Sequence, residues 1–177
     1  YVVFSNFLPS ILASRKVIDR EVLKKLGADR PLSDKEKKLL NGYSILFFIM
    51  VIYSIFLPLR LDTTWFYAGL VIYLLGVIVE TKSMLNFFTT PVDEPVNNGI
   101  YRFSRNPMYV GMVLIFVGTS VACISPVFSL LTAVFTVLSH VVVVYEERFC
   151  IQKYGDSYKE YLNRIPRWIG FPKSDRT

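Results

Sequence analysis

NPMYVGMVLIFVGTSVACISPVFSLLTAVFTVLSHVVVVY, residues 106–145, runs for 40 residues without an Asp, Glu, Lys or Arg. As one helix rising about 1.5 Å per residue it would reach about 60 Å, twice the depth of a hydrocarbon core of about 30 Å. It has to fold back on itself. Ser125 and Pro126 stand at its midpoint and mark the turn, which leaves residues 107–124 and 127–145 as the two spanning helices of a hairpin.

Working outward, the other long charge-free runs are residues 1–14, 39–59 and 63–79. Residues 43–59 and 64–79 predict a second, shorter hairpin, joined through Arg60, Leu61 and Asp62. Residues 1–13 are apolar but too short to span. With no initiator Met before them, they read as the remnant of a longer first helix. Of the 20 Lys and Arg, nine fall in residues 15–38, one is Arg60, three fall in 82–105 and seven in 148–176, so nineteen lie on one face. The positive-inside rule makes that face cytoplasmic, and the net charge of +6 becomes an orientation signal rather than a nucleic-acid footprint. A chain that is 53% hydrophobic with a mean hydropathy of +0.41 is not an ordinary soluble globule.

The expected fold is an all-α polytopic membrane bundle. Its parts are a partial N-terminal segment (1–14), a cytoplasmic connector (15–42), the first hairpin (43–79), a cytoplasmic loop that binds a cofactor (80–105), the second hairpin (106–145) and a cytoplasmic helical tail (146–177). Within the connector, Ser33 and Glu36 have the spacing of a helix-starting capping box. Gly69 and Gly76, like Gly111 and Gly118, stand seven apart on one helix face, the spacing of close helix packing.

Cys123 and Cys150 form no close motif and His140 is the sole histidine, so these three are packing residues and no metal is expected. There is no glycine-rich phosphate loop and no dinucleotide fingerprint. The informative stretches are DEPVNNGIYRFSRNPMYVG (93–111), Tyr145-Glu146-Glu147, and YGDSYKEYLNRIPR (154–167). The hairpin brings Arg105, Asn106 and Tyr109 to the level of Glu146 and Glu147. Asn106 followed by Pro107 has the pattern of an N-cap and first helical residue, whose free amides favour an anion beside Arg102 and Arg105. Two carboxylates at the end of the opposing helix oppose its dipole and call for a cation. Tyr101, Tyr109 and Tyr145 offer aromatic faces. An anion-binding end, a cation-binding end and aromatic walls at a lipid interface suit a zwitterionic cofactor acting on a lipid.

At these residues the chain resembles the superfamily of integral-membrane isoprenylcysteine carboxyl methyltransferases and phospholipid methyltransferases, which use S-adenosylmethionine. The resemblance covers residues 91–172. It rests on Arg105-Asn106-Pro107-Met108-Tyr109-Val110-Gly111, then the hydrophobic hairpin, Glu146-Glu147, Gly155 with Tyr158 and Tyr161, and Arg164-Ile165-Pro166. It implies cofactor contacts at Asp93, Glu94, Pro95, Val96, Tyr101, Asn106, Pro107, Met108, Tyr109 and Glu146, and catalytic roles for Arg105, Glu146 and Glu147. Prenylcysteine enzymes carry His at the position of Asn106, and basic residues before the glutamate pair. This chain has Asn106 and the run Val141 to Val144, a departure that tilts the methyl acceptor slightly toward an amine or lipid head group and leaves an isoprenylcysteine-type carboxylate as the alternative. The expected partner is a membrane lipid or lipidated substrate, with no nucleic acid and no metal. Two other readings stand beside it: a sterol-reductase-like enzyme using NADPH, and a non-enzymatic membrane scaffold.

Overall fold

The computed structural model describes residues 32–91 and 93–172. The apolar segment 1–14, most of the connector 15–42, Val92 and the last five residues lie outside the described residues. The rest form five α-helices: α1 (Asp34–Ile55), α2 (Thr64–Thr89), α3 (Pro107–Cys123), α4 (Pro126–Tyr154) and α5 (Asp156–Arg164), with a 3₁₀ turn at Gly99–Arg102. Helices α1, α2 and α4 are long and apolar enough to cross a membrane. Helix α3 is equally apolar but has 17 residues.

Local chemistry fixes the helix starts. Ser33 and Glu36 make the reciprocal capping box of α1, Thr63 accepts from Phe66 N at the head of α2, and Ser125 accepts from Phe128 N ahead of Pro126 in α4. The turn between α3 and α4 closes with Ile124 in the left-handed region at φ 49°. Three helices overrun the sequence reading, among them α4, which continues to Tyr154, nine residues past Tyr145. Helix α1 begins at Asp34, so the end of the connector is its first two turns. Helix α2 runs to Thr89, ten residues beyond Val79, and takes in Glu80 and Lys82. An isolated charge in an apolar stretch does not stop the backbone from remaining helical.

Helices α2 and α3 meet backbone to backbone. A Cβ added to Gly69 would collide with the backbone of Ala122 and Gly118, and one added to Gly76 would lie 2.7 Å from Ile115 N. Gly111 and Gly118 are matched in turn against Glu80 and Tyr73. The glycine spacing seen in the sequence is therefore a packing seam. On the other side of α3, aromatic rings from α1, α3 and α4 fill the core. Tyr43 stacks on Phe135 with centroids 4.8 Å apart, and Phe116 meets Phe135 edge-on at 5.0 Å. The outward faces of α1, α2 and α4 carry exposed Ile49, Leu74, Leu75 and Val137, the surface that a lipid environment covers.

Candidate functional site

The chain between α2 and α3 and the tail after α5 are sewn together at the basic face. Arg105 N donates to Pro166 O at 3.0 Å and Gly170 N to Phe103 O at 2.9 Å. Tyr161 Oη donates to Tyr101 O at 2.7 Å, and Ile100 N donates to Asn86 Oδ1 at 3.3 Å. Tyr101, Tyr158, Tyr161 and Ile165 form a second small core, with Val96 packed against it. Burial pushes the Tyr158 and Tyr161 phenols above the ordinary tyrosine range, an effect the nearby Arg105 guanidinium partly opposes.

Three of the residues singled out in the sequence meet in one ionic net. Glu147, buried about two turns before the end of α4, accepts from Asn106 Nδ2 at 3.2 Å and lies 3.6 Å from Arg105 Nε. Its strongest partner is Arg167, whose Nη2 is 2.8 Å from Oε2. Asn106 occupies the N-cap position of α3 but makes no side-chain capping bond; its amide reaches Glu147 and the Arg167 carbonyl instead. The net is the point where α3, α4 and the tail are held together.

Glu146, one residue earlier, is also buried, but it faces a different group. It lies within electrostatic reach of Tyr43 on α1, as does Glu80 on α2. The Tyr43 hydroxyl is 3.1 Å from Ser139 Oγ, and the Tyr43 ring is 6.3 Å from that of Tyr109. Pro107, Met108 and Tyr109 are buried beside this polar pocket. The two adjacent glutamates thus do separate things: Glu147 holds the tail, and Glu146 looks inward.

Glu94 and Pro95 lie elsewhere, on the rim of an open cleft of about 640 Å³ between the loop before α3 and helix α5. Arg102, Glu160, Tyr161 and Arg164 line the same cleft. Asp93 is exposed beside it. The expected residues are therefore distributed over three neighbouring places: the cleft, the ionic net and the inward polar pocket.

Sequence reasoning missed Arg167, Tyr43, Ser139 and Glu80. Arg167 directly follows the Arg164-Ile165-Pro166 motif, and that adjacency was the available signal. Tyr43 and Ser139 are 96 residues apart, and nothing local pairs them. Cys123 and Cys150 are free thiols, and His140 packs on Trp168 with centroids 5.9 Å apart. Among the described residues no group of His, Cys, Asp or Glu could hold a metal ion.

Residues 63–157 match the phospholipid methyltransferase family. The chain is 28% identical over 128 residues to "Probable protein-S-isoprenylcysteine O-methyltransferase" of Oryza sativa subsp. indica, covering 63% of this chain and 65% of that protein. It is 32% identical over 77 residues to protein-S-isoprenylcysteine O-methyltransferase B of Arabidopsis thaliana, covering 43% and 39% of the two chains. To methanethiol S-methyltransferase 1 of Bradyrhizobium diazoefficiens it is 32% identical over 75 residues, covering 42% and 26%. The match thus spans just under two thirds of the rice protein's length and less of the others. No solved structure matches the chain.

Proposed function

This chain belongs to the phospholipid methyltransferase family, and from that premise we propose that it is an integral-membrane enzyme that transfers a methyl group from S-adenosylmethionine to an amine-bearing lipid head group on the cytoplasmic side. The observation that carries the reading is the charged cleft between the loop before α3 and helix α5, next to the Glu147 net, whose Arg105 reaches the Leu162 carbonyl of α5.

The donor set of the cleft fits a zwitterionic cofactor. Its volume of about 640 Å³ lies within the ordinary ligand range of about 300–1,000 Å³. Arg102 offers a guanidinium for a carboxylate and Glu94 an acceptor for an ammonium or ribose hydroxyls, while Arg164 and Glu160, 3.5 Å apart, form an ion pair on the same rim. When bound, S-adenosylmethionine supplies an electrophilic methyl group on a sulfonium. The chain's own contribution is placement. The Glu147 net fixes the tail as one wall of the cleft, and the cleft residue Tyr161 packs with buried Tyr101 in the second core. Arg105 and Glu147 are engaged with each other, so their part is to position this wall. Glu146, buried and outside that net, is the carboxylate assigned to the reacting groups. The pocket around Tyr43 presents carboxylates and hydroxyls, which favours a cationic or amine acceptor over an anionic one. The segregation of nineteen of the 20 cationic residues into the sequence segments that the hairpins put on one side supports a cytoplasmic placement.

An isoprenylcysteine-type carboxylate acceptor is the second reading, favoured by the names of the rice and Arabidopsis relatives. The test is incubation of the purified protein with methyl-labelled S-adenosylmethionine and a membrane lipid extract. Label in a phospholipid fraction is expected, and label in a base-labile ester supports the second reading. Failure to bind S-adenosylmethionine, with or without binding of NADPH, overturns both. Replacement of Glu146 by Ala is expected to abolish transfer, and unchanged turnover would remove Glu146 from the site.

A further inference from the structure

Glu80 and Lys82 are the only charged residues of α2. Glu80 lies 16 residues beyond Thr64, about 24 Å along the helix, within the depth of a hydrocarbon core of about 30 Å. A carboxylate at that depth is costly and needs a reason. This one turns inward. Its Oε2 has no access to solvent and accepts no hydrogen bond. It lies against α3 where a Cβ added to Gly111 would stand 2.8 Å from it, so the missing side chain of Gly111 makes its place. Tyr43 is within electrostatic reach of both Glu80 and Glu146, so the two carboxylates have one buried hydroxyl as a common neighbour. Glu147 has two arginines and an asparagine to satisfy it. No described Lys or Arg does the same for Glu80.

We propose that Glu80 receives the ammonium end of the methyl acceptor and takes the proton that must leave before its nitrogen can react, a role that rests on the amine-acceptor reading above. The carboxylate removes one N–H proton, which exposes the nitrogen lone pair. That pair forms the new N–C bond to the donor methyl group while the C–S bond breaks and its electrons remain on sulfur. The product is a methylated ammonium, and the proton stays on Glu80 until it exchanges with water. Gly111 is the companion of this arrangement, since any side chain there would displace the carboxylate.

The test uses the full chain in lipid nanodiscs, with labelled S-adenosylmethionine as donor and phosphatidylethanolamine vesicles as acceptor. Glu80→Gln is expected to bind the donor within about twofold of the parent while kcat/KM for the lipid falls about a hundredfold. Glu80→Asp, which keeps the charge but shortens its reach, is expected to recover part of kcat with KM still raised. If Glu80→Gln does not fold, Glu80→Asp decides, and an unchanged KM overturns the proposal. A parent chain that binds donor but methylates no amine lipid overturns the amine reading and the Glu80 role with it. A parent that methylates phosphatidylethanolamine while Glu80→Gln does so equally well overturns the Glu80 role alone.

Discussion

Arg167 grips Glu147 with two nitrogens across 20 residues of chain, Nη2 at 2.8 Å and Nε at 3.1 Å from the same Oε2. Glu147 has 6% of its side chain exposed and Arg167 33%, so the pair is half in and half out of solvent. Arg167→Ala leaves the buried carboxylate with Arg105 and Asn106. The expected cost is about 2 kcal/mol, below the roughly 3–5 kcal/mol for stripping a fully buried pair, because two partners remain and solvent screens the third. Denaturant midpoints in detergent measure it. Arg167→Lys is expected to recover only part, since an ammonium cannot reproduce the forked contact.

Asn106 provides a sharper contrast. Its amide donates to Glu147 and to the Arg167 carbonyl. Asn106→Ala loses those bonds, whereas Asn106→Asp turns the donor into a second carboxylate facing the first. Asp is accordingly expected to destabilise more than Ala, although it is nearer in shape and normally a better N-cap residue. The order of the two unfolding midpoints is the readout, and Ala falling below Asp would contradict this account of the net.

Much of this arrangement could be read from the sequence. The 40-residue charge-free run and its Ser125-Pro126 turn yielded the α3–α4 hairpin because lipid depth limits how long an apolar helix can be. The four glycines were visible for a similar reason, since spacing along a helix is local information. The continuation of α2 through Glu80 was hidden because a charge in an apolar stretch looks like the membrane boundary. The separate duties of Glu146 and Glu147 were hidden too. Adjacent residues on a helix point about 100° apart, and what each one meets depends on elements distant in sequence.

The α2–α3 seam predicts unequal outcomes for one chemical change. At Gly69 and Gly118 an added methyl runs into backbone of the facing helix, which can yield only by moving the helices apart. Gly69→Ala and Gly118→Ala are each expected to cost about 1–3 kcal/mol or more. Gly42, in the interior of α1, has nothing within 4 Å of such a methyl. Gly42→Ala is expected to stabilise by roughly 0.5–1 kcal/mol through helix propensity alone. Thermal unfolding of the three variants side by side gives the comparison.

Tyr158 and Tyr161 predict an alkaline limit. Their phenols titrate higher in the folded chain than in the unfolded one, chiefly through burial. The folded state then holds protons that the unfolded state releases above its tyrosine value of about 10. Their contribution is fully present below that pH and is lost as pH climbs toward the raised folded values. Unfolding free energy is expected to fall from about pH 10 upward. Tyr161→Phe should flatten that limb while costing about 1 kcal/mol at neutral pH for the lost bond to the Tyr101 carbonyl.

Helix α4 has 29 residues, about 43 Å of rise, while the hydrocarbon takes up about 30 Å. On the proposed reading its surplus stands clear of the acyl chains, and Glu146 and Glu147, 20 and 21 residues beyond Pro126, lie about 30 Å along it. A lipid can therefore present its polar end without being lifted from its own leaflet, and only the acyl chains need room beside the bundle. A catalyst of the proposed kind draws on a single monolayer. Under sustained turnover its supply is limited by how quickly lipids cross from the opposite monolayer, a property of the bilayer rather than of the protein.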